Sequence, residues 1–253
     1  MKKIASIDIG SNTVRLLILE SDGNDQFRTL ASRRVITRLG EGMDTHGKLM
    51  PSRMSATFSA LSKFREDCEE HGNPPLFAVA TSAVREASNG NEFVQQALEK
   101  TGIEIEIISW EEEARLTLEG VFWKIPHENR RILTLDIGGG STEFILSEGK
   151  KIAGFCSSAL GVVRLTEKFI HQHPVDNSEH TNLTTHLKNE LQTIREKLSA
   201  FTPQVFIGTA GTVTTLAALK DNIYPYDPEK IHGAILSRQD IEILNQDLKG
   251  KSL

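Results

Sequence analysis

Cysteine is nearly absent from this 253-residue chain, with Cys68 and Cys156 the only two. Two thiols this far apart, without metal-type pairing, exclude a disulfide framework and a thiolate zinc site, and they fit a reduced, cytoplasmic protein. Positive charge is also in short supply. A formal net charge of −5 excludes a non-specific nucleic-acid binder, which needs a positive field to draw in a polyanion. Long hydrophobic runs are missing as well. No stretch approaches the ~20 apolar residues of a membrane span, and Asp8 interrupts the opening MKKIASIDIG, so no signal peptide is expected. The eight histidines show no ligand spacing. Hydrophobic content of 38% and charged content of 25% are ordinary for a folded globular protein, and the length accommodates two cores.

What the chain does contain is a repeat. IASIDIGSNTVRLLIL, from Ile4 to Leu19, and ILTLDIGGGSTEFIL, from Ile132 to Leu146, align so that Ile4, Asp8, Ile9 and Gly10 fall on Ile132, Asp136, Ile137 and Gly138. In each, an apolar run ends at an aspartate, a small-residue turn follows, and a second apolar run leads away, which predicts a β-hairpin with a polar tip. Glycine and serine at such a tip let backbone N–H groups approach an anion, while the aspartate can hold a cation. Two tips facing each other make a phosphate clamp. The repeat divides the chain into domains 1–124 and 125–253, with the boundary near Lys124 to Asn129.

The spacing of apolar residues predicts the rest. A third strand runs from Phe27 to Leu39, Gly40 to Pro51 is loop, and Ser52 to His71 has helical spacing. A strand from Leu76 to Ala80 leads into the polar turn TSAVREASNG. A helix from Asn91 to Thr101 is closed by Gly102, then come a strand from Ile103 to Ile108 and a helix from Glu111 to Trp123. The second half repeats this order. Strands lie near Ile132 to Asp136, Glu143 to Ser147 and Lys151 to Ser157, followed by helices from Val162 to Gln172 and from Thr184 to residue 200. A strand from Val205 to Gly208, the turn GTAGT, and helices starting at Val213 and Ser237 complete an α/β architecture in which helices pack around sheets.

Several positions are candidates for chemistry. Gly208, Thr209, Ala210, Gly211 and Thr212 form a strand-to-helix turn whose free N–H groups and helix dipole suit phosphate, although such turns also arise for steric reasons. Asp8 and Asp136 are either turn residues or, with phosphate oxygens, ligands of Mg²⁺, which usually takes one or two carboxylates. Glu143 follows the second turn where Arg15 follows the first; the alternatives are water or metal positioning, an ion pair between the halves, or an exposed strand carboxylate. Ser109 and Glu112 fit a capping box, and Glu111, Glu112 and Glu113 are either acidic charge at a helix start or include a carboxylate that faces a cleft and accepts a proton from water. Arg85 either reaches phosphate or pairs with Glu86.

Taken together, DIGSNTVRLLI, AVATSAVREASNG, EEEARL followed by EGV, TLDIGGGSTEF, ALGVVRLTE and GTAGT resemble, in order and spacing, the exopolyphosphatase and guanosine pentaphosphate phosphohydrolase (Ppx/GppA) family. The resemblance runs from Ile4 to about His232. It implies two ribonuclease-H-like domains of the actin, Hsp70 and sugar kinase superfamily around a central cleft. It further implies Glu113 as the base activating water, with Asp136 and Glu143 positioning Mg²⁺ and water, Glu143 thereby sharing in catalysis. Phosphates are then held by Gly10, Ser11, Asn12 and Thr13, by Gly138, Gly139, Gly140, Ser141 and Thr142, by Gly208 to Thr212, and by Arg85. The implied reaction releases orthophosphate from polyphosphate or guanosine pentaphosphate. A kinase using ATP and an inactive phosphate- or nucleotide-binding module are the alternatives. Two departures stand out: Trp110 occupies a position where the family usually has glycine, and the chain stops at Leu253 where members continue. The second domain is therefore expected to be truncated at its C-terminus, with an exposed sheet edge that invites association, including a homodimer.

Overall fold

The computed structural model of the chain describes residues 2–23, 26–123, 125, 130–199 and 202–252. It divides into two units, Met1–Glu113 and Ala114–Leu253, and the division falls inside a helix. The boundary expected near Lys124 to Asn129 lies mostly outside the described residues.

Period-two alternation builds the sheet of the first unit. Strand β1 (Lys2–Ile9) buries Ala5, Ile7 and Ile9 and turns Ser6 and Asp8 outward, while β2 (Thr13–Ser21) buries Val14, Leu16 and Ile18. Strand β3 (Phe27–Ile36) completes an antiparallel meander. The stretch that composition predicts as loop holds a one-turn helix, α1 (Met43–His46), bracketed by Gly42 and Gly47 in the left-handed conformation. Helix α2 (Pro51–Glu70) starts on a proline, whose missing N–H has no partner to lose at a first helical position. It buries Met54, Phe58, Leu61, Phe64 and Cys68 against the sheet.

Strand β4 (Leu76–Ala80) lies parallel to β1. The polar turn predicted after it contains a short helix, α3 (Ser82–Glu86). Helix α4 (Gly90–Thr101), closed by Gly102 at φ 66°, packs on α2, and the Phe58 and Phe93 rings stack with centroids 5.3 Å apart. Strand β5 (Glu106–Ile107) is much shorter than the predicted Ile103 to Ile108 and pairs only with Val79 and Ala80 of β4. Ile103, Ile105 and Ile108 are nonetheless buried. Helix α5 (Trp110–Phe122) follows.

The second unit contains β6 (Arg131–Ile137), β7 (Thr142–Glu148), β8 (Lys151–Ser158), α6 (Val162–Phe169), α7 (Asn177–Lys197), β9 (Val205–Thr209), α8 (Ala210–Lys220), α9 (Pro228–Ile231) and α10 (Arg238–Lys249). Strand β7 is buried from Thr142 through Ser147 because both faces of its sheet are covered. Ala114, Leu118, Val121 and Phe122 of α5 pack with Ile132 and Ile145, and Phe144, Leu160 and Ile194 form a separate cluster. Helix α7 begins at Asn177 rather than Thr184 because Asp176 and Glu179 form a reciprocal capping box there. Helix α6 stops at Phe169, short of Gln172, and α9 is an element the spacing does not reveal.

Strand order is β3-β2-β1-β4-β5 in the first sheet and β8-β7-β6-β9 in the second, among the described residues. In each, an antiparallel meander is extended by a parallel strand beside its first member. Both sheets are thus ribonuclease-H-like, and the duplication legible in the two hairpins extends to the topology.

Candidate active site

The two hairpin tips are closed by the same bond. The Gly10 amide donates to the Thr13 carbonyl at 3.1 Å, and the Gly138 amide donates to the Ser141 carbonyl at 3.0 Å. Carbonyls of the first tip are drawn onto the segment after β3: Ser11 accepts from the Gly40 amide at 2.7 Å, and Asn12 accepts from the amides of Thr37 and Arg38. Those of the second tip receive the start of α6, with Val162 donating to Gly138 and Val163 to Gly139. Among the described residues the amides of Ser11, Asn12, Gly139, Gly140 and Ser141 have no acceptor. Runs of such amides at a turn are the elements of an anion cradle. Thr13 begins β2, and Thr142 begins β7 with its hydroxyl donated to the Leu160 carbonyl at 2.9 Å.

Register places a row of polar side chains at each tip. In the first unit Asp8 lies opposite Arg15, and Arg15 opposite Arg34. In the second, Asp136 lies opposite Glu143, and Glu143 opposite Ser157. Directly opposed residues have Cβ atoms about 4.5–5.5 Å apart on one face of the sheet, so topologically equal rows carry opposite charge. Asp8 keeps accessible surface, yet loss of water around its carboxyl raises its pKa above the usual carboxylate value, and the Arg15 guanidinium offsets this only in part. Glu143 is 3% exposed and accepts a hydrogen bond from the Ser157 hydroxyl at 3.0 Å. It is not the exposed strand carboxylate that its sequence position also allows. Asp136 is approached by the Thr117 hydroxyl at 3.5 Å.

Glu113 sits in the first turn of α5, where its amide donates to the Ser109 carbonyl at 3.0 Å and the Ser109 hydroxyl caps Glu112. Its Oε2 is 2.9 Å from Nη2 of Arg85, which reaches it from α3. Arg85 therefore does not pair with Glu86, whose Oε1 accepts from the Ser82 hydroxyl instead. The other terminal nitrogen of Arg85 donates to the Ile108 carbonyl at 2.8 Å, and its guanidinium lies 3.4 Å from the centroid of the Trp110 ring. Arg85 and Glu113 side chains are 14% and 19% exposed, so this pair escapes most of the screening that weakens surface ion pairs.

The third loop is less open than GTAGT suggests. Gly208 and Thr209 end β9, and α8 starts at Ala210 rather than Val213, with Gly211 and Thr212 in its first turn. A side chain at Gly208 would lie 2.6 Å from Val213, so packing against α8 accounts for this glycine. Thr212 donates its hydroxyl to the Ile137 carbonyl at 3.1 Å, tying the start of α8 to the second tip, and Thr209 lies opposite Asp136. No side chain caps α8, so its first amides have no side-chain acceptor among the described residues. Ser157, Thr117 and Gly161 come into view through the structure, whereas Trp110 already stood out in the sequence. Of those three, only Gly161 had a local signal, a glycine directly before an apolar helix.

Asp136 and Glu143 supply hard oxygen donors side by side, which fits a cation that takes one or two carboxylates and fills its shell with substrate oxygens. Among the described residues no group of three or more acidic, histidine or cysteine side chains forms a closed metal cage. No helix among them is long and apolar enough to cross a membrane.

Comparison with known proteins gives a consistent result. The profile of the Ppx/GppA phosphatase family matches residues 17–251. Exopolyphosphatase 2 of Mycobacterium tuberculosis is 30% identical over 258 residues, covering 99% of this chain and 81% of the relative. The crystal structure of an exopolyphosphatase from Cytophaga hutchinsonii superposes with a TM-score of 0.89 at 30% identity, over 99% of this chain and 81% of that one. The Aquifex aeolicus PPX-GPPA enzyme superposes with a TM-score of 0.78 at 34% identity, over 98% and 81%.

Proposed function

The chain belongs to the Ppx/GppA phosphatase family, and from that premise we propose that it hydrolyses the terminal phosphoanhydride of inorganic polyphosphate or guanosine pentaphosphate, releasing orthophosphate. The observation that carries the reading is the Glu113 carboxylate, held by Arg85 at 2.9 Å in the first turn of α5. A carboxylate fixed in direction and partly shielded from water is suited to take a proton from an attacking water molecule. The water oxygen forms a bond to the terminal phosphorus, the bridging P–O bond breaks, the proton passes to Glu113, and the shortened chain leaves with the bridging oxygen. Within each unit the open amides of its hairpin tip, Ser11 and Asn12 in the first and Gly139, Gly140 and Ser141 in the second, are suited to non-bridging phosphate oxygens, and in the second unit the first turn of α8 adds a further set. Arg85 retains N–H groups beyond the two in use, which supports a role in meeting the charge that grows on the transferred group.

Asp136 and Glu143 would hold Mg²⁺, which, when bound, neutralises phosphate charge. The Ser157 hydroxyl orients Glu143 for this task.

Phosphate release is measured on polyphosphate and on guanosine pentaphosphate in parallel, with and without Mg²⁺. The unmodified protein is expected to release orthophosphate from at least one of them, and Glu113→Gln is expected to lower turnover by about 100-fold or more. Glu113→Gln with unchanged phosphate release, or label from ATP appearing on an organic acceptor instead of in orthophosphate, refutes the proposal.

A further inference from the structure

The surroundings of Arg85 assign work to a residue that none of the proposed chemistry uses. Trp110 opens α5 and Glu113 stands three positions later, so both side chains leave the same side of the helix. Between them they grip one guanidinium. Trp110 covers its face, with the central carbon 3.4 Å from the ring centroid, while Glu113 and the Ile108 carbonyl take one terminal nitrogen each at 2.9 and 2.8 Å. The third nitrogen, Nε, is buried and has no hydrogen-bond partner among the described residues. Hydrogen bonding therefore leaves the group under-determined, and the indole face supplies the missing constraint, because a guanidinium is planar, weakly hydrated and stacks on aromatic faces.

We propose that Trp110 is a positioning residue of the hydrolytic site: its indole face clamps Arg85, and Arg85 in turn fixes the Glu113 carboxylate in the direction from which it accepts the water proton. This rests on the hydrolytic reading of Glu113. Trp110 acts through Arg85 and touches no substrate, so its loss lowers kcat and leaves KM nearly unchanged.

The test compares Trp110→Phe, which keeps an aromatic face, with Trp110→Leu, which keeps apolar bulk without one. Trp110→Phe is expected to hold kcat within about twofold, and Trp110→Leu to lower it by about tenfold at similar KM. A spectroscopic readout stands beside the kinetics. Trp110 and Trp123 are the only tryptophans, so in a Trp123→Phe background the emission comes from Trp110 alone. That emission is expected to shift on Arg85→Met and to stay in place on Arg33→Met, since Arg33 pairs with Asp67 on α2. Wild-type kcat in Trp110→Leu, or emission that ignores Arg85→Met, overturns the positioning role while leaving hydrolysis at Glu113 intact. Failure of the unmodified protein to release phosphate from either substrate refutes the hydrolytic reading and the positioning role with it.

Discussion

Adding one methyl group at Gly161 should disable the second hairpin tip. Gly161 precedes α6 with φ −73° and ψ 143°, a conformation any residue adopts, so Gly161→Ala carries no backbone penalty of its own. The obstacle is purely steric. A Cβ there would lie 2.2 Å from the Gly140 carbonyl carbon, 2.3 Å from the Gly139 oxygen and 2.4 Å from the Gly139 carbonyl carbon. Ordinary contact begins near 3.4 Å, so the tip or the start of α6 must yield by roughly 1 Å, and every atom in the way is backbone rather than a flexible side chain. That shift strains the bonds from the Val162 and Val163 amides to Gly138 and Gly139, and it moves the amides proposed to hold phosphate. Overpacking costs about 1–3 kcal/mol, equivalent to a melting temperature lowered by roughly 3–12 °C for a unit of this size. A displacement near 1 Å costs about 100-fold in turnover. Gly120→Ala is the control, since Gly120 lies in α5 with nothing within 4 Å of a Cβ, and it should stabilise by about 0.5–1 kcal/mol. Thermal unfolding and phosphate release are measured on both. Wild-type turnover and melting temperature in Gly161→Ala would refute the reasoning.

Two further outcomes follow from the rows at the hairpin tips. Because burial raises the pKa of Asp8, the folded state holds that proton more tightly than the unfolded state. Its contribution to stability is therefore full below the unfolded value of 3.8 and is lost as pH rises through the raised folded value. Asp8→Asn should accordingly be more stable than the unmodified protein at neutral pH in urea unfolding, with the advantage vanishing below 3.8; a variant less stable at neutral pH contradicts the desolvation account. Ser157→Ala removes a hydroxyl that donates at 3.0 Å to a buried carboxylate, at an expected cost of about 1–3 kcal/mol. Unchanged denaturant midpoints would mean that Glu143 is satisfied without it.

Much of the architecture was legible because local rules produce it. Alternating burial in β1 and β2 and the glycine after α4 are local features and appear where they were expected, while Pro51, read as the end of a loop, opens α2 instead. The structure departs from expectation at the ends of elements: β5 is cut to two residues, and α7 starts early on a capping box of Asp176 and Glu179, a local signature that the spacing of apolar residues passes over. Arg15 and Glu143 do stand at equivalent places of their own hairpins, opposite Asp8 and Asp136 respectively, since register inside a hairpin is set by the length of its turn.

Sequence by itself determined the duplication, the two aspartate-ended hairpins and the residue types available for phosphate chemistry, all of which depend on spacings within a single element or on a repeat. Tertiary structure alone decided which of those residues work on one another. Arg85 had Glu86 beside it in the chain and took Glu113 instead, stacking on Trp110, while Glu143 became a buried acceptor for Ser157. Such partnerships join side chains on different elements, and the packing that brings those elements together leaves no periodic trace in the order of amino acids.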